Sequence, residues 1–405
     1  MSAAVLDLAP ERPTYLSLPV LLLMAAATGL CAGSNYFNQP LLHSIAQALQ
    51  ISEGMAAFTV TLSQLAYALG LLFLVPLGDK LEQRGLVVGL MLLAALGLLI
   101  SGYAPNFSVL VVGTLITGLF SVAAQTLVPM AAGLSDPQRS GRAVGVVMSG
   151  LLAGILLARS AAGLLSALGG WNTVYRYAAV CMVLLALTLW WVLPRSRQPN
   201  PASYLAVLRS LGGLVKRHPR LRSRALLGAL AFASVSVLFS TMALLLSGPA
   251  HGLSDRDIGL VGVVGVVGVL MASVAGRLAD RGWRQITSAA SVLLLLVGWA
   301  CLALGEAHLG WFVLGILIID LALPGVHVSN QSVIYGLAAD ARSRINAVYM
   351  TCYFAGAASG SALGALAWHR GGWQLTCAVG AALALLSGVI LGYDQWLVRR
   401  ARSPE

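Results

Sequence analysis

Charge is what this 405-residue sequence has least of: 10% of its residues are Asp, Glu, Lys or Arg, against about 25% in an ordinary soluble chain. A chain so poor in charge cannot cover itself with polar surface, which excludes a water-soluble globule. Acidic residues are the scarcer sign, 14 against 25 basic ones, for a net charge of +11. Nearly all the basic residues fall in short segments between apolar runs, where they orient a membrane protein rather than grip nucleic acid. The five cysteines, Cys31, Cys181, Cys301, Cys352 and Cys377, lie in apolar stretches without metal-ligand spacing, and imply neither disulfides nor zinc. A Walker sequence is missing, which removes the simplest ATP-driven pump. So is any nucleophile, base and orienter set, or a His-Glu-x-x-His pattern. His43, His251, His308 and His369 gather toward one expected face, with His218 and His327 elsewhere. The expectation is therefore no enzyme, no metal and no cofactor. The first apolar run, from Leu16 to about Cys31, lacks a small-residue cleavage pattern and is expected to remain as a span.

Hydrophobic residues make up the bulk, 58% of the chain, with a mean hydropathy of +0.85. Runs of about 20 apolar residues, enough to cross some 30 Å of hydrocarbon, fall near 16–38, 55–76, 85–103, 107–133, 143–168 and 173–193. A second set falls near 225–247, 257–279, 286–305, 309–337, 345–368 and 373–396. The pattern predicts an all-α polytopic membrane protein with twelve transmembrane helices. Connections are short apart from Pro194 to Arg224. With both termini and that connection placed in the cytoplasm, 21 of the 25 basic residues lie on one side, as the positive-inside rule requires. Arg176, Arg256 and Arg370 lie near the other face, and Arg159 lies inside a span. The long connection carries Tyr204, Val207, Leu208, Leu211, Leu214 and Val215 at helical spacing, which reads as an interfacial helix or as a solvated basic linker.

The second set of runs echoes the first. PLGDKLEQR at 76–84 follows span two and GRLADRGWR at 276–284 follows span eight, so Asp79 and Asp280 are 201 residues apart. LGGWNTVYR at 168–176 is answered by RGGWQ at 370–374, with Trp171 and Trp373 separated by 202 residues. One offset at two distant places implies two six-helix halves related by an axis along the membrane normal. The expected units are a bundle at 1–193, a basic linker at 194–224 and a second bundle at 225–405. A seam between such halves can open alternately to either side.

These features resemble the major facilitator superfamily over nearly the whole chain. The family's loop after spans two and eight reads Gly-x-x-x-Asp-Arg/Lys-x-Gly-Arg/Lys-Arg/Lys. Gly276, Asp280, Arg281 and Arg284 fit it, with Gly282 in the same turn; Asp79, Lys80 and Arg84 fit it in the first half, where Val75 and Glu82 stand for the glycines. The resemblance implies that these loops gate the conformational change by latching onto neighbouring helix ends; a charged turn that marks the cytoplasmic side is the plainer alternative. SNYFNQPLL at 34–42 and GLLAGILLARSAAGLL at 150–165 resemble the drug and sugar exporters of the arabinose-efflux-like branch. The Gly-Pro that proton-driven exporters commonly carry in span five is replaced by the run through Arg159.

Asp320 stands about 16 Å deep in span ten by helical rise. A lone carboxylate there must face a cavity, take up a proton, or be hydrogen-bonded structurally. Arg159 stands about 24 Å into span five and can bind an anionic substrate, pair with an acid, or snorkel outward. The two belong to different halves. Asn35, Tyr36, Asn38 and Gln39 form a polar cluster that either binds solute or caps the first helix before Pro40. Gln64, Gln125, Asn330 and Gln331 are cavity candidates or interhelical hydrogen-bonders. Gly262, Gly265 and Gly268, like Gly356, Gly360 and Gly364, read as close helix packing, not as a nucleotide loop.

The expected function is a secondary transporter of the bacterial inner membrane, exporting a small organic compound by proton exchange. A proton gradient would drive it. A small molecule and lipid are its expected partners, with no nucleic acid and no obligatory protein, as a monomer. Metabolite uptake or facilitated passage is the alternative within transport; a sensor or scaffold without flux is the alternative outside it.

Overall fold

In hydrocarbon a chain must satisfy its own backbone hydrogen bonds, so apolar runs of this length become helices. The computed structural model describes residues 16–135, 140–196, 203–265, 271, 274–275, 277–278, 281–338 and 341–400. The first half comprises α1 (Leu18–Gly33), α2 (Leu42–Leu49), α3 (Glu53–Phe73), α4 (Gln83–Gly102), α5 (Phe107–Phe120), α6 (Ala123–Gly133), α7 (Ser140–Gly169) and α8 (Thr173–Val192). After α9 (Tyr204–Arg217), the second half comprises α10 (Pro219–Ser247), α11 (Asp255–Val261), α12 (Arg284–Leu304), α13 (Leu309–Ile334) and α14 (Arg342–Arg400).

Ten helices among the described residues are long and apolar enough to cross a membrane. The last contains two crossings, because Gly371 and Gly372 leave helical geometry and split α14. The eighth apolar run, near 257–279, begins within α11, just after Asp255. This is an all-α, twelve-helix polytopic membrane fold. Span one is longer than its apolar run suggested: α1 and α2 are joined by the 3-10 turns Ser34–Tyr36 and Gln39–Leu41, and the whole segment reaches Leu49. Pro40 sits in the first turn of the second of these, where a missing N–H costs nothing.

Helix starts follow local chemistry. Ser52, Asn106 and Ser203 each accept a backbone N–H from the first turn of the following helix. Glu82, which stands where the loop pattern has glycine, caps α4 by accepting from Arg84 N at 3.0 Å and Gly85 N at 2.7 Å.

The repeat seen in the letters recurs in the geometry. Gly170 and Gly372 both take positive φ, +90° and +60°, immediately before Trp171 and Trp373, a conformation that suits glycine because it lacks a Cβ. In the first half a Cβ on Gly150 would lie 2.3 Å from the Ala25 carbonyl oxygen, and one on Gly154 would lie 2.1 Å from that of Gly29. In the second half the matching distances are 2.2 Å from Gly356 to the Ala229 oxygen and 2.0 Å from Gly360 to that of Ala233. Span one therefore packs on span five as span seven packs on span eleven, backbone against backbone.

Polar side chains lie inside and large apolar ones outside. Ser234, Ser240, Thr241 and Ser288 are fully buried, whereas Leu184, Val180, Leu385 and Val389 are exposed, the arrangement expected where lipid is the solvent. The linker contains α9, whose Val207 and Leu211 are buried. It touches both halves: Tyr204 Oη donates to the Phe73 carbonyl at 2.7 Å, and Arg344 Nη1 donates to Ser210 Oγ at 3.3 Å.

Candidate functional site

Side chains of the two halves are bonded to each other at the end opposite the Arg84 and Arg284 loops. Ser44 Oγ donates to Asp255 Oδ2 at 2.5 Å and Ser166 Oγ donates to the same oxygen at 3.4 Å. Ser160 Oγ donates to the Gly259 carbonyl at 2.9 Å. Burial raises the Asp255 carboxyl above its ordinary 3.8, while the two serine hydrogen bonds and nearby His43 pull the other way. Further along the seam, Thr61 Oγ1 donates to Ser361 Oγ at 3.0 Å, and the rings of Tyr67 and Phe354 lie 4.5 Å apart. The tilted or stacked rings of Phe232, Tyr353, Tyr349 and His327 continue that cluster into the second half.

Arg159 is the centre of this region. It is 4% exposed, so it does not snorkel to the surface. Its Nε donates to Gln39 Oε1 at 2.7 Å on span one, and its guanidinium carbon lies 3.6 Å from the ring centroid of Phe239 on span seven and 5.4 Å from that of Tyr36. Asp320 on span ten interacts with it electrostatically, yet the two do not close into an ion pair. Asp320 is half-buried and takes no hydrogen bond from the described residues. Two turns along the same face of α13 stands His327, also half-buried, with its Nδ1 3.1 Å from Tyr349 Oη.

The amide cluster divides. Asn35 turns back on its own helix, donating to the carbonyls of Cys31 and Ala32 and accepting from Ser63, so it serves the helix end. Asn38 donates to Thr59 at 3.0 Å. Gln64 lies beside Tyr36, and Gln125 donates to the Tyr67 hydroxyl at 3.3 Å. The oxygens Asn38 Oδ1 and Gln64 Oε1 are buried without a partner among the described residues. Gln331 donates to Asn346 at 3.3 Å. Asn330 is fully buried within the second half, bonded to Arg224 and Tyr349.

That last placement exposes a site that the apolar runs hide. Arg224 and Asp394 are both fully buried and ion-paired. Asp394 also accepts from Ser223, Arg220 and Gln285, while Arg224 Nη1 reaches Ser288 and Asn330. Arg224 counts in sequence as a cytoplasmic basic residue; in the fold it belongs to the interior of α10, because Asp394 of span twelve neutralises it. The available signal was an acid inside the last apolar run and two arginines, Arg220 and Arg224, one helical turn apart.

Of the two loops expected to gate, the first is partly described. Asp79 ends the 3-10 turn Val75–Asp79 and Lys80 follows it. Arg84 Nη1 donates to the carbonyls of Trp190 and Leu193, both at 3.2 Å, so its contacts remain in its own half. In the second loop Gly276 and Asp280 lie outside the described residues, as does Gly268; Arg281 is in the turn and Arg284 opens α12. No group of three His, Cys, Asp or Glu among the described residues is placed to hold a metal ion. A groove of about 420 Å³ lies between α1, α7 and α8, lined by Gly29, Ala153, Leu157, Tyr177 and Cys181 and not by Asp320. Its lining is apolar, and on the flank of a spanning bundle such a groove takes hydrocarbon.

Residues 24–358, and again 226–404, match the family model described as Major Facilitator Superfamily. The uncharacterized transporter YgaY of Escherichia coli O157:H7 is 48% identical over 377 residues, covering 93% of this chain and 96% of the relative. A chloramphenicol resistance protein of Streptomyces lividans is 30% identical over 294 residues, covering 70% of this chain and 72% of the relative. Among solved structures, the nucleoside transporter NupG superposes with a TM-score of 0.72 at 14% identity, covering 94% of this chain and 99% of that one.

Proposed function

The chain belongs to the Major Facilitator Superfamily and is a membrane transport protein of the alternating-access type; from that premise we propose that it exports a small organic compound in exchange for protons. The observation that carries the reading is Asp320: a half-buried carboxylate in span ten without a hydrogen bond among the described residues, facing Arg159 of the other half. A carboxylate so placed exchanges a proton with the space between the halves, and each protonation state favours a different approach of those halves. The similarity to a chloramphenicol resistance protein supports outward movement of a foreign or waste compound, and drugs and sugars are the classes that the resemblance of spans one and five implies.

The concentration of basic residues supports cytoplasmic termini in a bacterial inner membrane. The end sealed by Asp255 then faces outward, and the arrangement is inward-facing. In this reading the Asp79 to Arg84 and Asp280 to Arg284 loops hold the opposite, outward-open state when they meet across the seam.

Reconstituted Asp320→Asn tests the coupling. Expected is loss of flux driven by an imposed pH gradient, with counterflow of the same compound at zero gradient slowed but still measurable. Full gradient-driven flux in the variant would sink the assignment of the proton to Asp320.

A further inference from the structure

We infer that the compound bound between the halves is a zwitterion, its carboxylate on Arg159 and its ammonium on Asp320, with an apolar remainder. The inference rests on the transport reading and sharpens it. Four observations converge. The Arg159 guanidinium is buried from solvent, and its orientation is set by Gln39 through Nε and by Phe239 beneath its face. That leaves the two Nη groups without a hydrogen bond among the described residues. A guanidinium presents this edge as a fork that fits a carboxylate with two parallel bonds. Asp320 likewise has no hydrogen-bond donor among the described residues and stays half-open. The opposite charges sense each other without pairing, a costly arrangement in a low-dielectric interior unless a group bearing both complementary charges fits between them.

The fourth observation is their position. Arg159 comes from span five and Asp320 from span ten, so a ligand touching both bridges the two moving bodies and can draw them together. The charge logic also separates ligand classes. An ammonium on Asp320 and a proton on Asp320 are mutually exclusive, which is what exchange of substrate for proton requires. A singly charged anion on Arg159 leaves Asp320 able to keep its proton, so anion and proton would travel together and oppose export. A lone cation leaves the Arg159 fork empty. Tyr36 and Phe239 lie against the Arg159 guanidinium, and His327, two turns from Asp320, contacts Tyr353, which stacks on Phe232, surfaces that suit an aliphatic or aromatic body.

The test is counterflow in proteoliposomes holding the full chain, with no pH gradient, using glycine, leucine and phenylalanine as zwitterions. Phenylpropionate, phenethylamine and phenethyl alcohol match phenylalanine with the ammonium, the carboxylate or both charges removed. Exchange of a zwitterion about tenfold or more faster than its singly charged and uncharged analogues is expected, since each lost charge-assisted contact is worth roughly that factor. Arg159→Gln should then abolish the preference over phenethylamine, and Asp320→Asn the preference over phenylpropionate. The wild-type series decides the matter even if a variant folds poorly. Exchange of anions, cations or uncharged compounds with zwitterions left behind overturns the inference. Failure of all six compounds to exchange overturns the inference as well, and the carrier reading is then decided separately by the gradient-driven flux assay.

Discussion

Gly163 of α7 is where the sealed end is most exposed to a single added methyl group. A Cβ built there lies 2.4 Å from the Asp255 carbonyl oxygen and 3.1 Å from Gly259 Cα, and one on Gly259 lies 2.8 Å from the Arg159 carbonyl oxygen. The first approach is about 1 Å short of ordinary contact, and the obstacle is backbone, which cannot swing aside as a side chain does. Because α7 and α11 belong to different halves, the clash exists only while that end is closed. Overpacking of this kind costs about 1–3 kcal/mol, so Gly163→Ala should shift the balance between sealed and open states by about 5- to 150-fold toward open. Spin labels on cysteines at Gln47 and His308, in a background without native cysteines, would report the change as growth of a longer distance population. Gly154→Ala is the control: its Cβ would lie 2.1 Å from the Gly29 oxygen, but within one half. It should lower thermal stability without moving the distance populations. A folded Gly163→Ala protein whose distances match the wild type, or an equal shift from Gly154→Ala, would refute the reasoning.

Three further outcomes follow from the same geometry. The Asp255 carboxyl is raised by burial in the sealed state and returns toward its ordinary range when that end opens to water, so the sealed state holds more protons. Sealing is therefore strongest below the open-state pKa and weakens as pH rises through the sealed-state one; the spin-label pair should show this slope, and Asp255→Asn, which keeps an acceptor for Ser44, should flatten it. An opposite slope would count against the latch. Arg224→Met should cost about 3–5 kcal/mol by removing the buried partner of Asp394 and leaving it only the longer pair with the partly exposed Arg220 at 3.4 Å, seen as a lower melting temperature in detergent. The double replacement with Asp394→Leu should recover most of that loss, and a single variant as stable as wild type would remove the pair from the fold's support.

The hydropathy pattern and the 201- and 202-residue offsets are properties of the letters, and they are sufficient for the architecture. Membrane helices close their own backbone hydrogen bonds, so length and apolarity specify them locally, and the duplicated Gly-Gly-Trp turns at Gly170 and Gly372 carry the repeat in the residues themselves. The isolation of Arg159 and Asp320 is legible for the same reason, since any charge inside an apolar run stands out.

What those charges meet is settled across the chain, at separations no local pattern encodes. Arg159 reaches Gln39 across 120 positions, and Arg224 reaches Asp394 across 170. The first contact leaves a guanidinium edge and the Asp320 carboxylate without hydrogen bonds among the described residues; the second turns an apparent loop cation into a buried structural one. The order of the residues is enough for the number of helices, their duplication and the scarcity of charge. Which buried charges neutralise one another and which are left facing the seam depends on the packed fold, because pairing is a matter of distance and distance is set by packing.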